Sequence, residues 1–230
     1  MRRHTTTALV LTTLASLALT GCSDDSSGSS GTSPAATSSS PSESGTAGTT
    51  PLSSATLSKR LLTAQDLGEG YVRKAVRAQH DDDVSVIGCP ALENLGGDAA
   101  TGGNLDFPRK AKTAFTYGAD GTSEVSEELY SDTATKLSDG VGRIFDAMAS
   151  CPKYQVVSGS TAIDMTTQTT TTPKLGEERW SQLFTYSAGG QRSVVKQTAI
   201  RTGTVVVIIA GAPALVDAHL DKALAKAQSR

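Results

Sequence analysis

Three cysteines, three histidines and a few clustered carboxylates are the side chains with which this 230-residue chain could do chemistry. Cys22 follows Leu19-Thr20-Gly21, at the end of an apolar run over residues 8–19 that is preceded by Arg2 and Arg3. Small residues at 20 and 21 leave room for a peptidase to reach the bond before Cys22, whose thiol is a nucleophile able to carry a thioether-linked diacylglycerol. Two acyl chains, at about 0.8 kcal/mol per buried CH₂, give durable attachment to a membrane where one chain gives marginal binding. The apolar run is too short and too rich in threonine to span a bilayer, so residues 1–21 read as a lipoprotein signal peptide. The alternative is ordinary secretion with Cys22 unmodified. Arg2-Arg3 also raises twin-arginine export, but His4 and the threonines after it lack the apolar residue expected there.

Cys89 and Cys151 remain, each followed by a proline. In an oxidising compartment such a pair reads as a disulfide, each cysteine at an element boundary where the chain is already constrained. A redox pair or a zinc site is the alternative. No Cys-x-x-Cys is present, and histidines are too sparse to complete a zinc shell. His80 precedes Asp81-Asp82-Asp83, a solvated acidic turn rather than a calcium loop, because the spacing is not that of an EF-hand. His219 lies between Asp217 and Asp221, two residues from each, which on a helix is not a shared face; it reads as solvated or capping. Glu177, Glu178 and Arg179 form a polar run at a strand end, and Trp180, the single tryptophan, is in line with Phe184 and Tyr186. Such a stripe reads first as core; if a cleft exists, Arg179, Trp180, Phe184 and Tyr186 are the residues to line it. No nucleophile elbow, His-Glu-x-x-His, P-loop or dinucleotide fingerprint occurs, so no catalytic residue, metal or cofactor is expected.

These side chains must be placed by one domain. Residues 22–56 are mostly Ser, Thr, Gly, Ala and Pro with Leu52 as the only large aliphatic side chain, too little to offset the entropy of ordering. They read as the lipidated N-terminus and a disordered tether with a reach of roughly 30 Å, its hydroxyls open to O-glycosylation. No later stretch approaches 18 consecutive apolar residues, so no second membrane segment is expected. The folded unit is then residues 57–230. A net charge of −2 gives no reason to expect nucleic acid, and with aromatic residues at 4% the core must be built from Val, Ile, Leu and Ala.

Thr63 and Asp66 form a variant of the capping box before a short helical turn, and residues 71–77 read as a strand. Residues 90–95 suit one or two helical turns, followed by Gly-rich loops at 96–97 and 102–103. Residues 111–117 and 123–130, joined by Ala-Asp-Gly, predict a hairpin. Over residues 133–149, Ala134, Leu137, Val141, Ile144, Phe145 and Met148 recur at helical spacing, with Lys136, Asp139 and Arg143 off the stripe. Strands follow over residues 154–157, 162–171, 180–186 and 194–201. The apolar run 205–210 suits a central strand covered on both faces. Pro213 opens a last helix with Leu215, Val216, Leu220, Ala223, Leu224 and Ala227 on one side. Consecutive hairpins with two substantial helices predict an α+β domain: an antiparallel sheet, both main helices on one face, and one disulfide.

The Cys-Pro segments at 89 and 151, the helix running into the second, the Leu-Gly-Glu-Glu-Arg-Trp run at 175–180 and the closing strand-helix unit from Val205 resemble actinobacterial sensor-domain lipoproteins. That group is similar to the PknH-like extracellular sensor domain of receptor Ser/Thr kinases. The resemblance covers most of residues 57–230 and implies an α+β domain with a cleft for an extracytoplasmic ligand. A kinase domain is missing and the folded unit has a single cysteine pair, which sets the chain apart from a kinase receptor. The expectation is a non-enzymatic binding or sensor module, held by its lipid on the outer face of the cytoplasmic membrane and taking a small molecule or a lipid. A cell-envelope hydrolase with an unrecognised serine or carboxylate site, or an envelope scaffold protein, is the alternative.

Overall fold

An unbroken apolar run, Val205–Gly211, forms the fourth of nine strands in a single antiparallel sheet. The computed structural model describes residues 50–76, 84–96, 105, 107–119 and 121–229, all within the unit Glu43–Arg230. Cys22, the signal segment, most of the spacer, His80 and the three aspartates after it lie outside the described residues.

The strands are β1 Tyr71–Lys74, β2 Val84–Ile87, β3 Lys110–Tyr117, β4 Ser123–Ser131, β5 Lys153–Ser158, β6 Thr161–Thr169, β7 Glu178–Ala188, β8 Gln191–Thr202 and β9 Val205–Gly211. Their order across the sheet is β1-β3-β4-β9-β8-β7-β6-β5-β2. The expected hairpin pairs Lys110 with Tyr130 and Tyr117 with Ser123. Five helical segments accompany the strands among the described residues: α1 Ser54–Arg60, α2 Ala64–Leu67, α3 Pro90–Glu93, α4 Ala134–Ser150 and α5 Pro213–Ala227. None is long and apolar enough to cross a membrane.

Local chemistry explains the helix ends. At α2 the Thr63 hydroxyl accepts from the Asp66 amide while Asp66 Oδ2 accepts from Thr63 N at 2.8 Å, the reciprocal box expected from the sequence. Ser53 caps α1 by accepting from Thr56 N, and the Leu52 amide donates to Ser131 Oγ at 2.8 Å. Leu52 packs against the core. Ordered structure therefore starts within the serine-rich stretch read as tether: one aliphatic side chain and one capping serine suffice once a sheet is present to receive them.

The two main helices cover opposite faces of the sheet, not one face as expected. Val205, Val207 and Ile209 pack with Val216, Leu220 and Leu224 of α5 and Leu57 of α1. Val206 and Ile208, pointing the other way at period two, pack with Leu137, Val141 and Phe145 of α4. A helix stripe reveals that a helix has a buried side but not which face of a sheet receives it. The run of β9, apolar on both faces, required two covers.

Cys89, the residue before α3, and Cys151, the residue after α4, form the expected disulfide, with Cα atoms 5.6 Å apart. It joins α3 to the end of α4 beside Leu92, Met148, Tyr154 and Phe184.

Candidate functional site

Alternation along β7 puts Trp180, Gln182, Phe184 and Tyr186 on one side, as their spacing predicted, and the fold turns that side toward α4. Gln182 is 2% exposed and donates from Nε2 to the Phe145 carbonyl at 2.9 Å, fixing the helix over the strand. Phe184 is 1% exposed among Met148, Met165 and Cys151. Tyr186 packs beside it with ring centroids 6.3 Å apart, and burial pushes its phenol up to about 12. Phe184 is core, and Tyr186 packs against that core partly buried. Trp180, also partly buried, is stacked on Phe145 at 6.1 Å, and its outer side borders two surface depressions.

The larger depression, of ≈ 600 Å³, lies against α4 and is lined by Ser138, Asp139, Gly142, Arg143, Asp146 and Trp180. The other, of ≈ 520 Å³, is lined by Thr170, Thr171, Thr172, Glu178, Arg179 and Trp180. A third, of ≈ 370 Å³, shares Arg143 and Asp146 with the first and reaches Ala91 and Leu95 beside the disulfide. The first and third lie along α4, and the second, lined by no α4 residue, meets the first at Trp180; this shared surface is the groove around Trp180. Of the four residues proposed from sequence, Arg179 and Trp180 line this groove and Phe184 and Tyr186 do not. Arg179, one residue from Trp180, leaves the strand on the opposite face and reaches the groove at the strand's end.

The wall is held by ion pairs that the sequence did not reveal. Glu178 Oε1 accepts from Ser138 Oγ at 2.8 Å, and its Oε2 accepts from Arg201 Nε at 2.5 Å. Arg201, 8% exposed, also donates to Glu177 Oε2 at 2.6 Å and to the Gly203 carbonyl at 3.1 Å. The Gly203 amide and then the Arg201 guanidinium hold the Glu177 carboxyl below its usual range, while Arg201 is the leading influence lowering Glu178. The sequence grouped this acidic pair with Arg179 only as a polar run at a strand end. The partner is Arg201, which β8 places directly opposite Glu178. On the far side, Thr170 Oγ1 donates to Ser181 Oγ at 2.9 Å. Gly142 and Asp146 escaped notice, and Arg143 was read only as lying off the stripe, because a helix read alone gives such residues no role beyond solvation.

Other polar groups lie apart from the groove. His219, read as solvated or capping, is half-buried; its Nε2 lies 2.6 Å from Tyr71 Oη, and burial followed by the nearby Lys222 lowers its pKa. Burial moves Tyr71 up. Tyr130 donates to Glu128, which also pairs with Lys112. No cluster of three or more His, Cys, Asp or Glu able to hold a metal occurs among the described residues.

No family model matches the sequence, and no curated protein matches it. Among solved structures, the extracellular domain of PknH from Mycobacterium tuberculosis superposes with a TM-score of 0.61 at 14% identity, over 80% of this chain and 100% of that one. An uncharacterised protein (Rv0999 ortholog) from Mycobacterium smegmatis aligns at a TM-score of 0.40 and 8% identity, over 70% of this chain and 91% of that one. The chain has the fold of the PknH extracellular domain, and the resemblance read from the Cys-Pro segments and the closing strand-helix unit holds at that level.

Proposed function

We propose that this protein is an extracytoplasmic binding module of the sensor type, anchored through lipid on Cys22, that holds a ligand in the groove around Trp180 without transforming it. The observation that carries this reading is the superposition of the whole PknH extracellular domain on the chain. The signal pattern ending at Cys22 and the spacer after it supply the address and the reach.

The groove chemistry supports binding over turnover. Both oxygens of Glu178 are committed, one to Ser138 and the other to Arg201, so this carboxylate braces the wall. Asp139 and Asp146 are seven residues apart on α4, about 10 Å of helix rise. Paired carboxylates that work on one glycosidic bond sit roughly 5 to 9.5 Å apart.

Native mass spectrometry of the full chain recovered from its own envelope tests the proposal. A retained small mass that disappears in Trp180→Ala is the expected result; an empty protein that turns over a substrate in a hydrolase screen overturns it. For the anchor, Cys22→Ser should release the protein or leave it unprocessed, and unchanged membrane retention overturns that part.

A further inference from the structure

Gly142 sits inside α4, where glycine weakens a helix relative to alanine and needs a reason. Packing does not supply one: a Cβ built on Gly142 would meet nothing within 4 Å. Gly140, two residues earlier and on the other side of the helix, is the contrast, since a Cβ there would lie 2.7 Å from Phe107 Cζ. The missing side chain at 142 therefore leaves open space, and that space is the larger depression beside Trp180.

We infer that the groove is a saccharide-binding site, with Trp180 as the platform for the apolar face of a pyranose ring and Gly142 keeping the space above it clear. This deepens the binding reading above and rests on it. A sugar ring offers one C–H face and a rim of hydroxyls that both donate and accept, and the groove answers with one aromatic face and a polar rim. Asp139, Arg143 and Asp146 project along it, and none of the three is in a salt bridge among the described residues. Carboxylates accept from vicinal hydroxyls and the guanidinium donates to ring and hydroxyl oxygens. Two other ligand chemistries fit less well. An acyl chain would find Trp180 as the only large apolar side chain in the two larger depressions, and a phosphate would face Asp139, Asp146 and Glu178 against Arg143 and Arg179.

Because Trp180 is the only tryptophan in the chain, its emission reports on this groove alone. The full chain is titrated with chitotetraose, a linear glucan oligomer and a mannan oligomer. The expected result is a saturable change in emission with at least one of them. Gly142→Gln, which introduces a better helix former into open space, should keep or raise the native thermal midpoint and weaken binding by about tenfold or more, and Gly142→Ala should weaken it less. Calorimetry with Trp180→Phe, which retains a platform, should recover binding that Trp180→Ala loses. A response that survives Gly142→Gln unchanged, or none with any oligosaccharide, overturns the saccharide site. In the second case a non-saccharide mass retained in the native spectrum leaves the binding reading standing, and an empty spectrum removes both.

Discussion

Glu127 is a carboxylate 1% exposed in the sheet face under α1 and α2, and its chemistry is set by what surrounds it. Oε2 accepts from the Leu62 amide at 2.6 Å, while Oε1 has no partner among the described residues. Burial raises its pKa from the ordinary 4.5 to about 7, against the lowering pull of the Leu62 amide and Lys226 and with a smaller push from Asp66. A folded pKa above the unfolded one means the native state holds this proton more tightly. The resulting stability is complete below pH 4.5 and is lost as pH rises through about 7. Between pH 5 and 8 this residue should cost the domain up to about 3 kcal/mol. His219 works in the opposite direction, since its folded pKa lies below the ordinary 6.5 and its contribution is lost as pH falls. The difference between wild type and Glu127→Gln isolates the glutamate: urea midpoints at pH 8 should favour the variant, and the gap should close by pH 5. Asp66 marks the acid limit. Burial disfavours its carboxylate, yet hydrogen bonds from Lys226 and Thr63 bring its pKa down to about 2, so stability from this group is present above 3.8 and fails as pH falls through 2. The sequence shows a glutamate in a strand; its proton affinity depends on α1 and α2 closing over it.

At the scale of elements, α4 carries two glycines with opposite meanings. Gly140→Ala should destabilise by about 1 to 3 kcal/mol by forcing a methyl group into Phe107, while Gly142→Ala should stabilise by about 0.5 to 1 kcal/mol through helix propensity. Thermal melts of the pair read both signs in one experiment. Gly176, just before β7, has φ +64, and a Cβ there would lie 2.5 Å from Ile200 Cγ2 and 2.6 Å from the Arg201 carbonyl. Gly176→Ala should cost about 1 to 3 kcal/mol and loosen the Glu177–Arg201 pair that braces the groove, measured as a lower urea midpoint. The stripe of α4, the β3–β4 hairpin, the central β9 and the capping box of α2 were all legible, because each is a local pattern of period, turn residue or cap. The strand β2 and the helix α1 were not. Val84–Ile87 is four residues long and half exposed, and α1 is rich in serine and lysine with only Leu57 fully buried. Such segments become ordered by pairing with β5 and packing on β3, partners distant in sequence.

For the whole molecule, the disulfide closes a span of 62 residues that includes β3, β4 and α4. Replacing both Cys89 and Cys151 by alanine should cost about 4 kcal/mol in the chain-entropy account, seen as a lower melting point that reductant no longer changes. The sequence by itself determined the pairing of Cys89 with Cys151, the α+β class and the alternation that puts Trp180, Phe184 and Tyr186 on one side of β7. Those rest on short-range periodicity, on composition and on elimination among few residues. The tertiary structure alone decided that the two long helices take opposite faces, that Arg201 answers Glu177 and Glu178, and that Trp180 borders surface depressions while Phe184 is buried and Tyr186 packs beside it. Each depends on which distant strand lies alongside. A period of two or 3.6 says that a side chain has an inside and an outside, and only the assembled sheet says what stands there.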